Sequence, residues 1–562
     1  MNNHDNNSIL LFHKGKIIWK FIISIVLNVL LLIIPIYYSK LIDALNIINY
    51  EESYNLLIIF GILTISYRFI EFYNQKAYFK LYLSLYKSYM NFGLNKTYHN
   101  SIYSLSRFNL SEYSNIMSED FEFVSDYYST LIIRIVEILE FIYIIIYFFF
   151  INKIIGIITF ISSIIVIFIL FYFNTFISKI NIERKNRNDI RISSFQEIFL
   201  SLKTIKGFRI LKEIKNKINQ KVDEYIKWHT RLNMDRYGLR EITLGIIDVS
   251  KIIALLLGIK LIIDGNMTLG TITIIYSYYS KLSELFTSII TLSESKNNKD
   301  VSNKRINKLF MYAQDDKKSN NENIINGQIF FQNILYGNIN NPILKDVSFK
   351  IESNNLTVLS GSNTGCEGIF DLLLRYNREH SGNILIDNIN INDYDEEDIK
   401  NNIGFIMEYP NFFNMSIKDN LILFDENFEN IVNVCKYLEI DEYIMNLKDG
   451  YETILIDNAS NIDEDVKYLL ALARVLLRNC KILLINNIFD HISGPICRQL
   501  EKILITLKDE RTIVLITRNQ KIMKKDYVNK VIFIAYGKVV CEGKHEYLVK
   551  NNSEYKKLLK KM

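Results

Sequence analysis

The sequence predicts a membrane α-helical domain of six spans followed by an α/β domain, and three observations carry that reading. Six apolar runs, each near the ~20 residues that cross a bilayer, precede residue 295. A polar stretch rich in Asn, Lys and Asp then gives way to short apolar strands, turns and helices. Within that second part, residues Leu359 to Phe370 read LSGSNTGCEGIF between an apolar run and a helical run. That is strand, glycine-bearing loop, helix. The expected division is a membrane domain at 1–295, a linker at 296–323 and an α/β domain at 324–562.

The runs lie at about Ile17–Tyr38, Tyr54–Phe72, Leu131–Ile151, Ile154–Phe173, Ile242–Ile263 and Leu269–Ile290. The third and fourth are separated only by Asn152 and Lys153, which forces a tight helical hairpin. The long segments 74–129 and 174–240 are rich in Lys and Arg, and the short loops are not. Basic loops stay inside, so both termini are expected in the cytoplasm. Arg134, Glu137 and Glu140 sit in the third span, Asp248 and Lys251 in the fifth. Charges so placed face a bundle interior or an aqueous path, and the i,i+3 spacing of Arg134/Glu137 and Asp248/Lys251 permits local pairs.

At 562 residues the chain exceeds a single core. A net charge of +5 gives no argument for nucleic acid. The five cysteines lack metal-binding spacing and read as reduced thiols. No cleavable signal peptide is expected, because the first apolar run continues past a signal core with no small-residue cleavage site after it.

The loop after Leu359 has the layout of a phosphate-binding P-loop, G-x-x-x-x-G-K-[ST]. In that pattern backbone N–H groups cradle phosphates, Lys reaches the β/γ-phosphates and Ser/Thr holds Mg²⁺. Here Gly361 is the first glycine, but Cys366, Glu367 and Gly368 stand at the second glycine, the lysine and the hydroxyl.

Further stretches extend the likeness. GNMTLGTI (265–272), VSNKRINKLF (301–310) and residues 202–225 resemble the membrane part of the ABC exporter family. So do NPILKDVSFKIESNNLTVLSG (341–361), IGFIMEYPNFFNMSIKDNL (403–421), ALARVLLRNCKILLINNIFD (471–490), RTIVLITRNQ (511–520) and YGKVVCEGKHEYL (536–548) for its nucleotide-binding part. The chain thus resembles an ABC half-transporter, six membrane helices joined to an α/β P-loop-type ABC domain. A peptidase domain of the kind some peptide exporters carry is not expected before Ile17, for want of room.

The resemblance implies roles for particular positions, and the residues depart from them. The adenine-stacking aromatic falls at Asn338, with Tyr336 two residues away. The Q-loop glutamine is Glu408, the Walker B aspartate Asn486, the general base Asn487 and the switch histidine Arg518. The signature aligns to Ile462–Val466, including Asp463, Glu464 and Asp465, and the D-loop to 490–493. Glu367 opposes a polyphosphate, Asn486 and Gly368 supply no Mg²⁺ ligand of carboxylate or hydroxyl type, and Asn487 is no proton acceptor. The three acids suit the first turn of a helix. Two arrangements are open for the vacated γ-phosphate position: an Arg518 pair with Glu367 or Glu408, or all three side chains pointing to solvent.

These departures imply a degenerate nucleotide-binding domain that binds no ATP or Mg²⁺ itself, in a multi-pass protein of a bacterial cell membrane. Its expected partners are membrane lipid and a second ABC half-transporter, as heterodimer or homodimer. The alternative is a non-transporting regulator, sensor or immunity protein on the same scaffold.

Overall fold

The computed structural model describes the chain except residues 1–2, 99, 101–109, 311–323, 325, 339–340, 378–379, 493 and 560–562. The chain forms two compact units, dividing near residue 313.

The first unit holds six long helices: α1 (Lys14–Asn46), α2 (Tyr50–Tyr98), α3 (Phe121–Ile151), α4 (Lys153–Leu200), α5 (Leu211–Ile263) and α6 (Leu269–Phe310). Each covers one predicted span. α1, α2 and α4 are long and apolar enough to cross a membrane by length and composition alone. The others carry charges inside their apolar windows: Arg134, Glu137 and Glu140 in α3, Asp248, Lys251 and Lys260 in α5, Lys281 and Glu284 in α6. At 1.5 Å per residue the 49-residue α2 is about 73 Å long, so its end projects beyond the ~30 Å hydrocarbon layer.

Local chemistry sets the turns. Asn152 is extended and its side chain accepts from the backbone N–H groups of Ile154 and Ile155, so α3 ends and α4 begins with one residue between them. Asp43 of α1 caps α6: its carboxylate accepts from Gly270 N at 2.7 Å and Thr268 Oγ1 at 2.8 Å. A Cβ at Gly270 would lie 2.2 Å from Ser39 O, so glycine is what lets α6 start against α1.

The linker expectation needs correction. Residues 296–310 continue α6, and only 311–323 of the proposed linker lie outside the described residues. Composition suggested coil, but Ser302, Ile306 and Leu309 share one buried helical face. Arg305 bridges Asp120 at 3.2 Å and Asp189 at 3.3 Å, Ser302 donates to Asp120 at 2.7 Å, and Lys185 lies 3.7 Å from Asp120. The polar run is thus a helix face held by buried partners.

The second unit stacks two sheets. The strands are β1 (Ile329–Asn338), β2 (Asn341–Ile351), β3 (Leu356–Gly361), β4 (His380–Ile386), β5 (Ile389–Asn390), β6 (Ile403–Ile406), β7 (Ile482–Asn486), β8 (Thr512–Ile516), β9 (Lys530–Ala535) and β10 (Lys538–Gly543). The antiparallel sheet has order β2-β1-β4-β5, the main sheet β10-β9-β3-β8-β7-β6. β9, β3, β8, β7 and β6 are parallel. Continuous buried runs such as Ile482–Asn486 and Thr512–Ile516 are what a sheet covered on both faces requires. Helices α7 (Asn363–Leu373), α8 (Glu464–Leu477) and α9 (Gly494–Leu507) complete the core, with Leu359, Ile369 and Leu484 in one apolar cluster and Val358, Leu472 and Leu504 in the other.

Candidate functional site

In open α/β sheets, ligands sit outside the carboxyl ends of the parallel strands. The chain order there is set by the crossovers, and here it gathers four distant segments. β3 delivers Gly361 and the loop to Gly368, β8 delivers Arg518, β7 ends in Asn486 and Asn487, and β6 leads into Glu408. With neighbouring strands about 4.8 Å apart, these positions follow the carboxyl ends of adjacent strands.

Gly361 has φ +117°, and a Cβ there would lie 2.0 Å from Ile534 O. The next residue, Ser362, donates its N–H to that same carbonyl at 2.8 Å. The glycine is required by this close passage of β3 against β9. Cys366 is buried and its thiol is pushed up to about 12 by burial, with the nearby Arg518 charge opposing and Glu367 adding to the shift. Glu367 is half-buried. Gly368 lies under the Tyr336 ring, where a Cβ would be 3.1 Å from Tyr336 Cε1 and 3.4 Å from Ile343 Cγ2. Tyr336 is buried and makes a long 3.5 Å hydrogen bond to Asp371, so its ring packs on the loop helix and presents no face for stacking a base. Asn338 ends β1 opposite Asn341, and its side chain lies outside the described residues.

Burial first, then the Glu367 charge, raise the Asp371 carboxyl above its usual range, against the Tyr336 hydrogen bond. A raised acid favours the folded state when protonated and costs stability once ionised, so the penalty grows as pH rises through that value. Asp371→Asn should therefore raise the melting temperature at pH 7, and the gain should vanish as pH falls below about 4, where the aspartate is protonated in both states. Thermal melts at both pH values check this.

Asn486 and Asn487 are buried, and among the described residues neither side-chain oxygen has a hydrogen-bond partner. Asn487 adopts φ +48°, a left-handed conformation that Asn tolerates better than most residues, and its N–H is held by Ile516 O at 2.9 Å.

Of the two arrangements open to these side chains, the arginine–glutamate pair is not the one that forms. Among the described residues no ion pair joins the exposed Arg518 to Glu367 or Glu408. Glu408 instead meets His491 Nε2 at 3.1 Å. His491 stacks on Tyr468 (6.2 Å, 8° between planes) and lies 5.0 Å from the Tyr409 ring, while Tyr468 Oη donates to Glu408 O at 2.9 Å. Arg518 takes part through its backbone N–H, which the Asp490 carboxylate accepts. Sequence reasoning placed His491 in the D-loop but missed its contact with Glu408, and missed Tyr468 altogether, since the partners are 83 and 60 residues from Glu408 and no spacing rule links them. The loop after Glu408 is fixed by Arg474 of α8, stacked on Phe412 at 4.2 Å and donating to Asn411 O at 2.7 Å.

At the start of α8, Glu464 and Asp465 occupy the first turn as expected. Asp463 stands at the cap position, but its side chain caps nothing; its N–H goes to Tyr443 Oη at 3.1 Å. Glu464 pairs with Lys467 at 2.7 Å. The final site position, Ser493, lies outside the described residues.

In the membrane unit both local pairs form. Arg134 Nη1 reaches both Glu137 oxygens at 2.8 Å, and Lys251 meets Asp248 at 2.7 Å. Glu140 is buried 3.7 Å from Lys281 of α6.

Comparison with known proteins agrees with this architecture. Residues 17–286 match the ABC transporter transmembrane region, and residues 344–489 match the ABC transporter domain. The chain is 27% identical over 319 residues to the lactococcin-G-processing and transport ATP-binding protein LagD of Lactococcus lactis subsp. lactis, covering 55% of this chain and 45% of that protein. It is 27% identical over 301 residues to the ATP-dependent lipid A-core flippase of Blochmanniella pennsylvanica, covering 52% and 51%. The match thus spans about half the length of these relatives. A bacterial Atm1-family ABC exporter solved with ATP bound has the same fold, with TM-score 0.86, 14% identity and 98% of each chain covered. With the ABC transporter transmembrane region followed by the ABC transporter domain, this membrane protein belongs to the ABC transporters.

Proposed function

We propose that this chain is the non-hydrolysing half of an ABC exporter, paired with a second half-transporter whose motifs are intact. The observation that carries the proposal is the residue set at the sheet's carboxyl edge. Glu367 stands where a polyphosphate needs a cation. A unit charge about 4 Å away is worth on the order of 4 kcal/mol at an effective dielectric near 20, so the reversal costs several kcal/mol of ATP affinity. Asn486 offers a neutral buried amide where Mg²⁺ takes a carboxylate, and Gly368 has no hydroxyl and is covered by Tyr336. Asn487 accepts no proton from water. These residues do not fit Mg-ATP.

The basic segments 74–129 and 174–240 support cytoplasmic termini, and the bacterial relatives support a bacterial cell membrane. One observation favours the alternative, a regulator, sensor or immunity protein on this scaffold. Asp463, Glu464 and Asp465 at the start of α8 would repel the phosphate of any partner that used this chain's signature. Native mass spectrometry of the complex purified from its own membrane decides. A second, distinct ABC half in the complex supports the exporter subunit. A homodimer, or a monomer with an unrelated protein, overturns it in favour of the regulatory reading.

A further inference from the structure

The apolar runs of α4 and α6 end at about Phe173 and Ile290, and that of α5 begins at about Ile242. At that level a cavity of about 30 Å³ lies between the three helices. Leu170 of α4 and Ile289 and Ile290 of α6 line it within the apolar runs. Ile177 of α4, Arg236 of α5 and Ser293, Glu294 and Asn297 of α6 line it beyond them, on the side of the basic segments. The wall thus turns from apolar to mostly polar where hydrocarbon gives way to headgroups.

Arg236 is the chemical centre of this cavity. Its Nη1 meets Glu294. Its Nε and Nη2 are buried and have no hydrogen-bond partner among the described residues. Those two N–H groups share one edge of the guanidinium, the fork that receives two oxygens of a carboxylate or phosphate. A buried donor without a partner is costly. A water-sized atom needs about 10–15 Å³ of such a cavity, so there is room for about two oxygens.

We propose that this fork holds the phosphodiester of a resident phospholipid in the leaflet on the side of the basic segments. Its acyl chains would run against Leu170, Ile289 and Ile290. Exposed Tyr172 and Phe176 of α4 and Tyr237 of α5 flank the site in sequence, and aromatic rings of this kind mark headgroup level. Arg231 lies 5.8 Å from the Phe176 ring and 5.6 Å from Trp228, which ties α5 to α4 at this depth. The charge also fits. Arg231 pairs with Asp235 at 3.9 Å and Arg236 with Glu294, while Arg184 of α4 bonds the neutral Asn181. One positive charge is left over, which suits a phosphodiester monoanion. A soluble anion would leave the apolar wall unused. Nothing here requires export, so the inference stands apart from the exporter reading.

The test reads lipid bound to the full-length chain in mild detergent by native mass spectrometry. Wild type is titrated with dioleoylphosphatidylglycerol, with dioleoylglycerol, which has the same chains and no phosphate, and with inorganic phosphate. One phosphatidylglycerol per chain should bind about tenfold or more tighter than dioleoylglycerol. Arg236→Lys keeps the charge and loses the fork, so it should weaken that binding about tenfold and leave the native mass of the protein unchanged. Dioleoylglycerol bound as tightly as phosphatidylglycerol, or unchanged binding by Arg236→Lys, overturns the assignment. Inorganic phosphate bound at least as tightly as the lipid would give the fork to a soluble anion and overturn it too. If Arg236→Lys does not fold, the comparison of the two lipids on wild type decides alone.

Discussion

Gly361→Ala should unfold the ABC domain at a melting temperature about 6–12 °C below wild type. The new methyl would sit 2.0 Å from Ile534 O, at a backbone φ of +117° that side chains rarely adopt. Strain and clash of this kind cost about 3 kcal/mol or more, and each kcal/mol moves the midpoint of a domain this size by about 2–4 °C. Differential scanning fluorimetry with limited trypsin digestion reads the effect. An unchanged midpoint would mean β3 does not pass Ile534 as described. The result matters for function because it explains why the first glycine of a phosphate loop persists beside Glu367. Its conformation is demanded by the sheet, with or without a phosphate.

Purified wild-type chain should bind Mg-ATP no tighter than the millimolar range, and Glu367→Lys should tighten it by about 100-fold or more. The sign follows from replacing a repulsive charge with an attractive one, and the size from on the order of 4 kcal/mol per unit charge at about 4 Å, with each 1.4 kcal/mol worth tenfold. Hydrolysis should remain absent, since Asn487 still stands where a base is needed. Adding Gly368→Ser should contribute little, because a Cβ there meets the Tyr336 ring at 3.1 Å and the ring must move first. Titration of a fluorescent ATP analogue checks the three affinities, and a phosphate-release assay the absence of hydrolysis. Low-micromolar binding by the wild type would refute the reading.

The two halves of the chain were legible to different depths. The apolar runs show where helices cross a bilayer because about 20 residues and little else satisfy that requirement. The hairpin at Asn152 follows from having no residues to spare, and Gly361 to Gly368 show their frame because strand, tight turn and helix each leave a local pattern. Residues 296–310 misled because polar composition resembles coil; Arg305 and Ser302 are helical because Asp120 and Asp189 meet them from helices more than a hundred residues away.

The site divides in the same way. Residue identity alone says that Glu367 is an acid, Asn486 an amide and Gly368 without a hydroxyl, and charge and hydrogen-bonding capacity need no coordinates. Which acid meets which base is a property of the packed sheet. Arg518 and Glu408 are opposite in charge, yet Glu408 lies against His491, whose ring is held between Tyr409 and Tyr468. Tyr336 could have faced a base from its place in β1, but register turned it onto Gly368. Local order is written in periods of a few residues, whereas these partners are chosen by strand order and crossover, which bring together side chains that no short window contains.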